Sequence, residues 1–79
     1  MKTIEDRLRD VAVRVMGGNL ELTNSTSFVN DLGADSLDMV DIIMGAEDEF
    51  NIEISDEDAE NIHTFGDAIN IVSRKVAED

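Results

Sequence analysis

The sequence predicts an all-α fold: a small four-helix bundle of three longer helices and one short one, with a long first loop. Three observations carry this prediction. Apolar residues recur at helical spacing in three separate stretches. Residues that cap or stop helices bound those stretches. No alternating apolar and polar pattern runs longer than Asn51-Ile52-Glu53-Ile54, which is too short to build a sheet. A chain of 79 residues is read as one domain, 1–79.

The elements follow in order. Ile4, Leu8, Val11 and Val15 form one helical stripe. Thr3 with Asp6 reads as a capping box at its start, and Gly17-Gly18 stops it. A second helix is expected from about Ser36 to Phe50. Ser55 followed by Asp56-Glu57-Asp58 reads as the capped start of a short helix through about Ile62. Phe65, Ala68, Ile69, Val72 and Val76 give the last helix, with Thr64 as N-cap and Arg74-Lys75 suiting its C-terminal dipole. The connection from Gly17 to Asp35 carries Leu20, Leu22, Phe28, Val29 and Leu32, so it is expected to pack down on the bundle.

Composition excludes several classes. Nineteen acids against six bases give a net charge of −13, which repels nucleic acid and anionic membrane surfaces. Without cysteine there is no disulfide framework and no thiolate zinc site. No apolar run approaches the ~18 residues of a membrane span, and the start Met1-Lys2-Thr3-Ile4-Glu5-Asp6 turns acidic too soon for a signal peptide. The expectation is a cytoplasmic monomer without stable membrane insertion. The acidic run Asp56-Glu57-Asp58-Ala59-Glu60 lacks the glycine of a calcium loop, so no metal site is expected. The single histidine, His63, has no serine elbow near it, and no catalytic residue is assigned.

The charges are segregated. Lys2, Arg7, Arg9 and Arg14 lie at one end and Arg74 and Lys75 at the other. Between Val15 and Ser73 there is no base and there are 14 acids. A charge run is usually a solvated face; segregation this complete favours a docking surface for basic partners.

The second helix has two apolar sides. At ~100° per residue, Met39, Ile42, Ile43, Ala46 and Phe50 share one arc, the expected core face. Leu37, Val40 and Met44 fall opposite, flanked by Asp41, Glu47 and Asp48, with Asp38 and Glu49 on one border. Such a helix is either packed on two sides or presents a small apolar centre with an acidic rim to a partner. Ser36 stands at its start, after Gly33, which permits a tight turn. It is either an N-cap or an exposed hydroxyl where an attached phosphate would meet unpaired N–H groups.

The segment Phe28-Val29-Asn30-Asp31-Leu32-Gly33-Ala34-Asp35-Ser36-Leu37-Asp38 resembles the prosthetic-group segment of acyl carrier proteins of type II (dissociated) fatty acid synthesis. The likeness begins at Thr3-Ile4-Glu5 and continues through Glu47-Asp48-Glu49-Phe50, Ile52-Glu53-Ile54, Asp56-Glu57-Asp58-Ala59-Glu60 and Ile62. It implies a non-catalytic carrier whose Ser36 holds 4′-phosphopantetheine, transferred from coenzyme A by a phosphopantetheinyl transferase (holo-ACP synthase). Acyl groups would ride on that arm as thioesters, the chain tucking between the helices. It implies that Asp35, Leu37, Asp38, Val40, Asp41, Met44, Glu47 and Asp48 meet malonyl transacylase, ketoacyl synthases and other synthesis enzymes with basic patches. A carrier for polyketide or another specialised acyl pathway is the alternative within the same chemistry. A plain acidic interaction module with Ser36 as a cap is the alternative outside it.

Two departures from the family pattern add an expectation. Ser55 stands where the family often has Pro, and Gly45 and Ala46 where it has larger or more helix-prone residues. Gly45 is expected to weaken its helix by ~1 kcal/mol relative to Ala, and the two small residues to leave room for a hydrocarbon.

Overall fold

A computed structural model of the chain describes residues 2–18 and 20–78. It contains α1 (Ile4–Met16), α2 (Ser36–Phe50), α3 (Asp56–Glu60) and α4 (Phe65–Glu78). Among the described residues the only β pairing is one isolated bridge between Ser27 and Thr64. α3 is shorter than its sequence suggests. Its last turn tightens, with Asn61 N–H donating to the Asp58 carbonyl and Ile62 N–H to the Ala59 carbonyl, both at 3.1 Å.

Local chemistry sets the ends. Thr3 and Asp6 make the expected reciprocal capping box. Thr64 and Asp67 do the same at α4: Asp67 N–H donates to Thr64 Oγ1 and Thr64 N–H to Asp67 Oδ2. Ser55 Oγ accepts from Asp58 N–H at 3.1 Å. α1 ends at Gly17 with φ +78°, and α2 ends at Asn51 in the left-handed conformation, φ 54°. Asparagine tolerates that conformation better than most residues, so Asn51 does the work of a C-terminal glycine.

The core forms where α1, α2 and α4 meet. Leu8, Val11 and Ala12 come from α1, Ile42, Ala46 and Phe50 from α2, and Phe65, Ala68, Ile71 and Val72 from α4. Val76, expected on the buried stripe, is 37% exposed, and Ile71 takes an inward position instead. The first loop does pack down: Leu22, Phe28 and Ala34 are buried, with Leu20 and Leu32 partly so. Val29 is the exception at 57% exposure.

The loop is fastened to the start of α4 by backbone bonds. Phe65 N–H donates to the Thr26 carbonyl and Gly66 N–H to the Asn24 carbonyl, each at 2.9 Å, while Phe28 N–H donates to the His63 carbonyl at 3.1 Å. This seam puts Phe28 and Phe65 among the most deeply buried side chains of the domain. Gly66 is required for it, because a Cβ there would stand 2.7 Å from the Asn24 carbonyl oxygen.

Gly45 and Ala46 correct the expectation of spare volume. A Cβ on Gly45 would lie 2.8 Å from Val11 Cγ1. Val11 is 1% exposed and β-branched in a helix, so its methyl has no free rotamer to retreat to. Gly45 is therefore the close-approach point of α1 and α2, and its space is already filled. Ala46, 3% exposed, belongs to the packed core.

Three substitutions follow from this packing. Gly66→Ala, Gly45→Ala and Ala46→Leu should each lower stability by about 1–3 kcal/mol through overpacking. Thermal melting would read this as a fall of about 4–8 °C per kcal/mol for a domain of this size. Combining Gly45→Ala with Val11→Ala should cost less than the sum of the two, because the second removes the clashing methyl.

Candidate functional site

The segment leading into α2 is a tight, self-bonded turn. Asp31 and Leu32 N–H both donate to the Ser27 carbonyl, Gly33 N–H to that of Val29, and Ala34 N–H to that of Phe28. Ser27 caps it from the side chain: Asn30 N–H donates to Ser27 Oγ, and Ser27 N–H donates to Asp31 Oδ2. Gly33 completes the turn at φ +72°, a conformation few side-chain-bearing residues adopt. Buried Phe28 and Ala34 anchor its two sides, so the start of α2 is held rigidly at the surface.

Ser36 is not the N-cap. Asp35 is, and it forms a capping box with Asp38: Asp38 N–H donates to Asp35 Oδ1 at 2.9 Å, and Asp35 N–H donates to Asp38 Oδ2 at 3.1 Å. Ser36 is the first helical residue, exposed, and among the described residues its hydroxyl makes no hydrogen bond. With no capping duty, the Ser36 hydroxyl is left open to solvent. The N–H groups of Ser36 and Leu37 are likewise unpaired, as the first donors of a helix are. The electrostatics are mixed, because these donors favour an anion while the two box carboxylates oppose it.

The outer face of α2 is open. Leu37, Val40 and Met44 are 74%, 50% and 56% exposed, so the helix is not packed on two sides. Asp35, Asp41 and Asp48 surround them, exposed, and Asp38 is partly covered by its cap. Glu47 differs from the rest. Its Oε2 accepts the Ile54 N–H at 2.8 Å and its carbonyl accepts the Ile52 N–H, so it organises the α2–α3 connection as well as bordering the face. Glu49 is turned to α1, where Arg7 and Arg14 hold it.

All six bases are engaged by carboxylates of the same chain: Lys2 by Asp10, Arg9 by Asp6, Arg7 and Arg14 by Glu49, Arg74 and Lys75 by Asp58. None of them reaches Asp35, Asp38, Asp41, Glu47 or Asp48 within ion-pair distance. The negative potential of the α2 face is thus uncompensated.

A cleft of about 500 Å³ opens beside this face. Met39 and Ile43 of α2 form one wall, Ala59 of α3 with Ile62 and His63 another, and Val29 lies at the loop side. Residues 36, 39 and 43 are spaced at i, i+3 and i+7, so Met39 and Ile43 continue from Ser36 along one side of the helix. Helical spacing had put both on the core face; the structure leaves them half-buried and lining the cleft. His63 carries no sequence signal for this site, and Val29, within the segment of family resemblance, reads as loop packing; the loop seam brings both here.

The family described as "Phosphopantetheine attachment site" matches residues 6–72. The chain belongs to the acyl carrier protein family. Two solved structures show the same fold. One, a candidate acyl carrier protein from Mycobacterium tuberculosis, superposes with a TM-score of 0.88 at 36% identity, covering 91% of this chain and 97% of that one. The other, an acyl carrier protein from Thermotoga maritima, gives a TM-score of 0.79 at 37% identity, covering 91% of this chain and 85% of that one. The prosthetic group of this carrier family is covalent 4′-phosphopantetheine. The exposed, uncommitted Ser36 hydroxyl fits such an attachment. No described helix is long and apolar enough to cross a membrane.

The capping carboxylates make the carrier's stability depend on pH. Asp6 is held below the usual carboxylate range by the Thr3 N–H and hydroxyl, Asp67 by the Thr64 and His63 N–H groups, and Asp58 chiefly by the Lys75 ammonium. A depressed carboxyl stabilises the fold above its unfolded pKa, about 4, and that stability is lost as pH falls through the folded value. From pH 7 toward 5, by contrast, proton uptake relieves the repulsion of the −13 charge. Melting temperature should rise modestly as pH is lowered toward 5 and fall steeply below about 4. A scan from pH 7 to 3 at constant ionic strength checks both signs.

Proposed function

We propose that residues 1–79 act as one carrier domain of type II fatty acid synthesis, with 4′-phosphopantetheine attached through a phosphodiester to Ser36 Oγ. The observation that carries this reading is the division of labour at the start of α2. Asp35 takes the cap, which leaves the adjacent Ser36 hydroxyl exposed and unbonded. The arm supplies a thiol that holds acyl groups as thioesters, chemistry this cysteine-free chain lacks. The unpaired N–H groups of Ser36 and Leu37 offset the negative charge of the box carboxylates at that point. Met39, Ile43, Ala59 and Ile62 offer an apolar cleft to the hydrocarbon. Each buried methylene contributes roughly 0.8 kcal/mol.

The proposed partners are a phosphopantetheinyl transferase, malonyl transacylase, ketoacyl synthases and other enzymes with basic patches. Leu37, Val40 and Met44 would fill an apolar depression while Asp35, Asp38, Asp41, Glu47 and Asp48 meet its cationic rim.

Intact mass after incubation with coenzyme A and a phosphopantetheinyl transferase tests the attachment. The wild type should gain one arm, and Ser36→Ala should gain none while melting as the wild type does. Ser25, Ser27, Ser55 and Ser73 should stay unmodified, and an arm on any of them would overturn the assignment. Turnover of the loaded protein by fatty acid synthesis enzymes separates this pathway from a specialised one.

Asp41→Lys with Asp48→Lys tests the surface. Neither carboxylate makes a hydrogen bond or ion pair among the described residues, so folding should persist. Transferase modification should slow by tenfold or more at low salt as steering is lost, on the order expected for charged encounter. Wild-type rates should fall with added salt, which screens over ~8 Å at physiological ionic strength. Rates equal in the two proteins would remove the electrostatic reading.

A further inference from the structure

We infer that Asp58, clamped by Arg74 and Lys75, is a positioning residue that holds α3 as the closing wall of the cleft. Its role toward cargo rests on the carrier reading above; its role in holding α3 does not.

α3 itself is lightly held: the segment is anchored in the core on either side by Ile54 and Ile62, and between them only the partly buried Ala59 packs inward. The helix is five residues long, contributes no buried residue to the core, and carries four acids, Asp56, Glu57, Asp58 and Glu60. Their mutual repulsion and that of the α2 face push α3 outward. Yet Ala59, the residue after Asp58, lines the cleft, as does Ile62 just beyond. At its start the segment is tied by Glu47 Oε2 to Ile54 N–H. At its end it runs into the loop seam through the His63 carbonyl.

Between these ties, among the described residues, the one link from α3 itself to the rest of the fold by charge is Asp58. Arg74 Nη2 lies 3.1 Å from Oδ1 and Lys75 Nζ 3.2 Å from Oδ2, so each oxygen has its own cation. Asp58 and Lys75 are partly shielded, with side-chain exposures of 20% and 24%, while Arg74 reaches in from solvent at 58%. Two cations on one shielded carboxylate form a stronger contact than an exposed pair. When the contact breaks, α3 moves between its Ile54 and Ile62 anchors while α1, α2 and α4 keep their core, because α3 gives that core no fully buried residue and only the partly buried Ala59 packs against it. Opening of this wall exposes whatever lies against Ala59 and Ile62.

The experiment is amide hydrogen exchange on the full chain without its arm, comparing wild type, Asp58→Asn, Arg74→Gln with Lys75→Gln, and all three changes together. The reporters are the N–H groups of Ala59, Asn61 and Ile62, and the references are core amides of α1 and α4. In Asp58→Asn the reporters should exchange about fivefold faster, with the references unchanged. The α4 double variant should match it, and the triple variant should be no worse than either, because all remove the same contact. Asp58→Glu should restore slow exchange. Unchanged reporters, effects that add, or acceleration of reporters and references alike would each overturn the inference.

The second arm uses the acylated protein and hydroxylamine. Asp58→Asn should cleave several-fold faster than wild type. Equal cleavage with faster α3 exchange would overturn the cargo role and leave the clamp. Failure of Ser36 to accept the arm would sink the carrier reading without touching the exchange result.

Discussion

The structure depends on the backbone seam between the first loop and the start of α4. The Asn24, Thr26 and His63 carbonyls accept from Gly66, Phe65 and Phe28. These bonds convert a long irregular connection into part of the core, with Phe28 and Phe65 each 1% exposed. The turn from Ser27 to Gly33 springs from that fixed point, and the chain enters α2 where the turn releases it. The position of Ser36 is therefore inherited from contacts made by residues that never touch it. The same seam brings Val29 and His63 to the cleft, so the cleft wall and Ser36 share one foundation.

Charge is arranged as strictly as packing. Four carboxylates, Asp6, Asp10, Glu49 and Asp58, absorb every base. None of these contacts involves an acid of the α2 face, and Arg7 lies on the Phe50 ring at 4.3 Å while it binds Glu49. The face of α2 is left with acids alone around Leu37, Val40 and Met44. A chain that shared its bases evenly would be more stable and would have no such face.

Much of this was legible in the sequence. Helical spacing placed the three longer helices and the Ser55 cap the short one, and the side chains at Thr3, Ser55 and Thr64 marked starts, because capping is a short-range interaction between residues three apart. The two sides of α2 were also readable, since periodicity records which face is apolar. What escaped needed three-dimensional proximity. Gly45 looked like a weak point in a helix and is the contact with Val11. Gly66 carried no signal, because its reason is the Asn24 carbonyl far away in the chain. Ser36 and Asp35 both suit a cap, and geometry, not residue type, gave that duty to Asp35. Val29 looked like loop packing and lies at the cleft instead.

Because all six bases are paired with carboxylates of their own chain away from the α2 face, that face carries no base with which to meet the acidic rim of a second copy. Their α2 faces carry the same sign, and the exposed Leu37, Val40 and Met44 could meet their counterparts only by bringing two acidic rims together. The rim therefore guards its own apolar centre against homotypic contact. Like-charge repulsion between the rims acts against such contact, and it has no counterpart toward a surface of opposite sign.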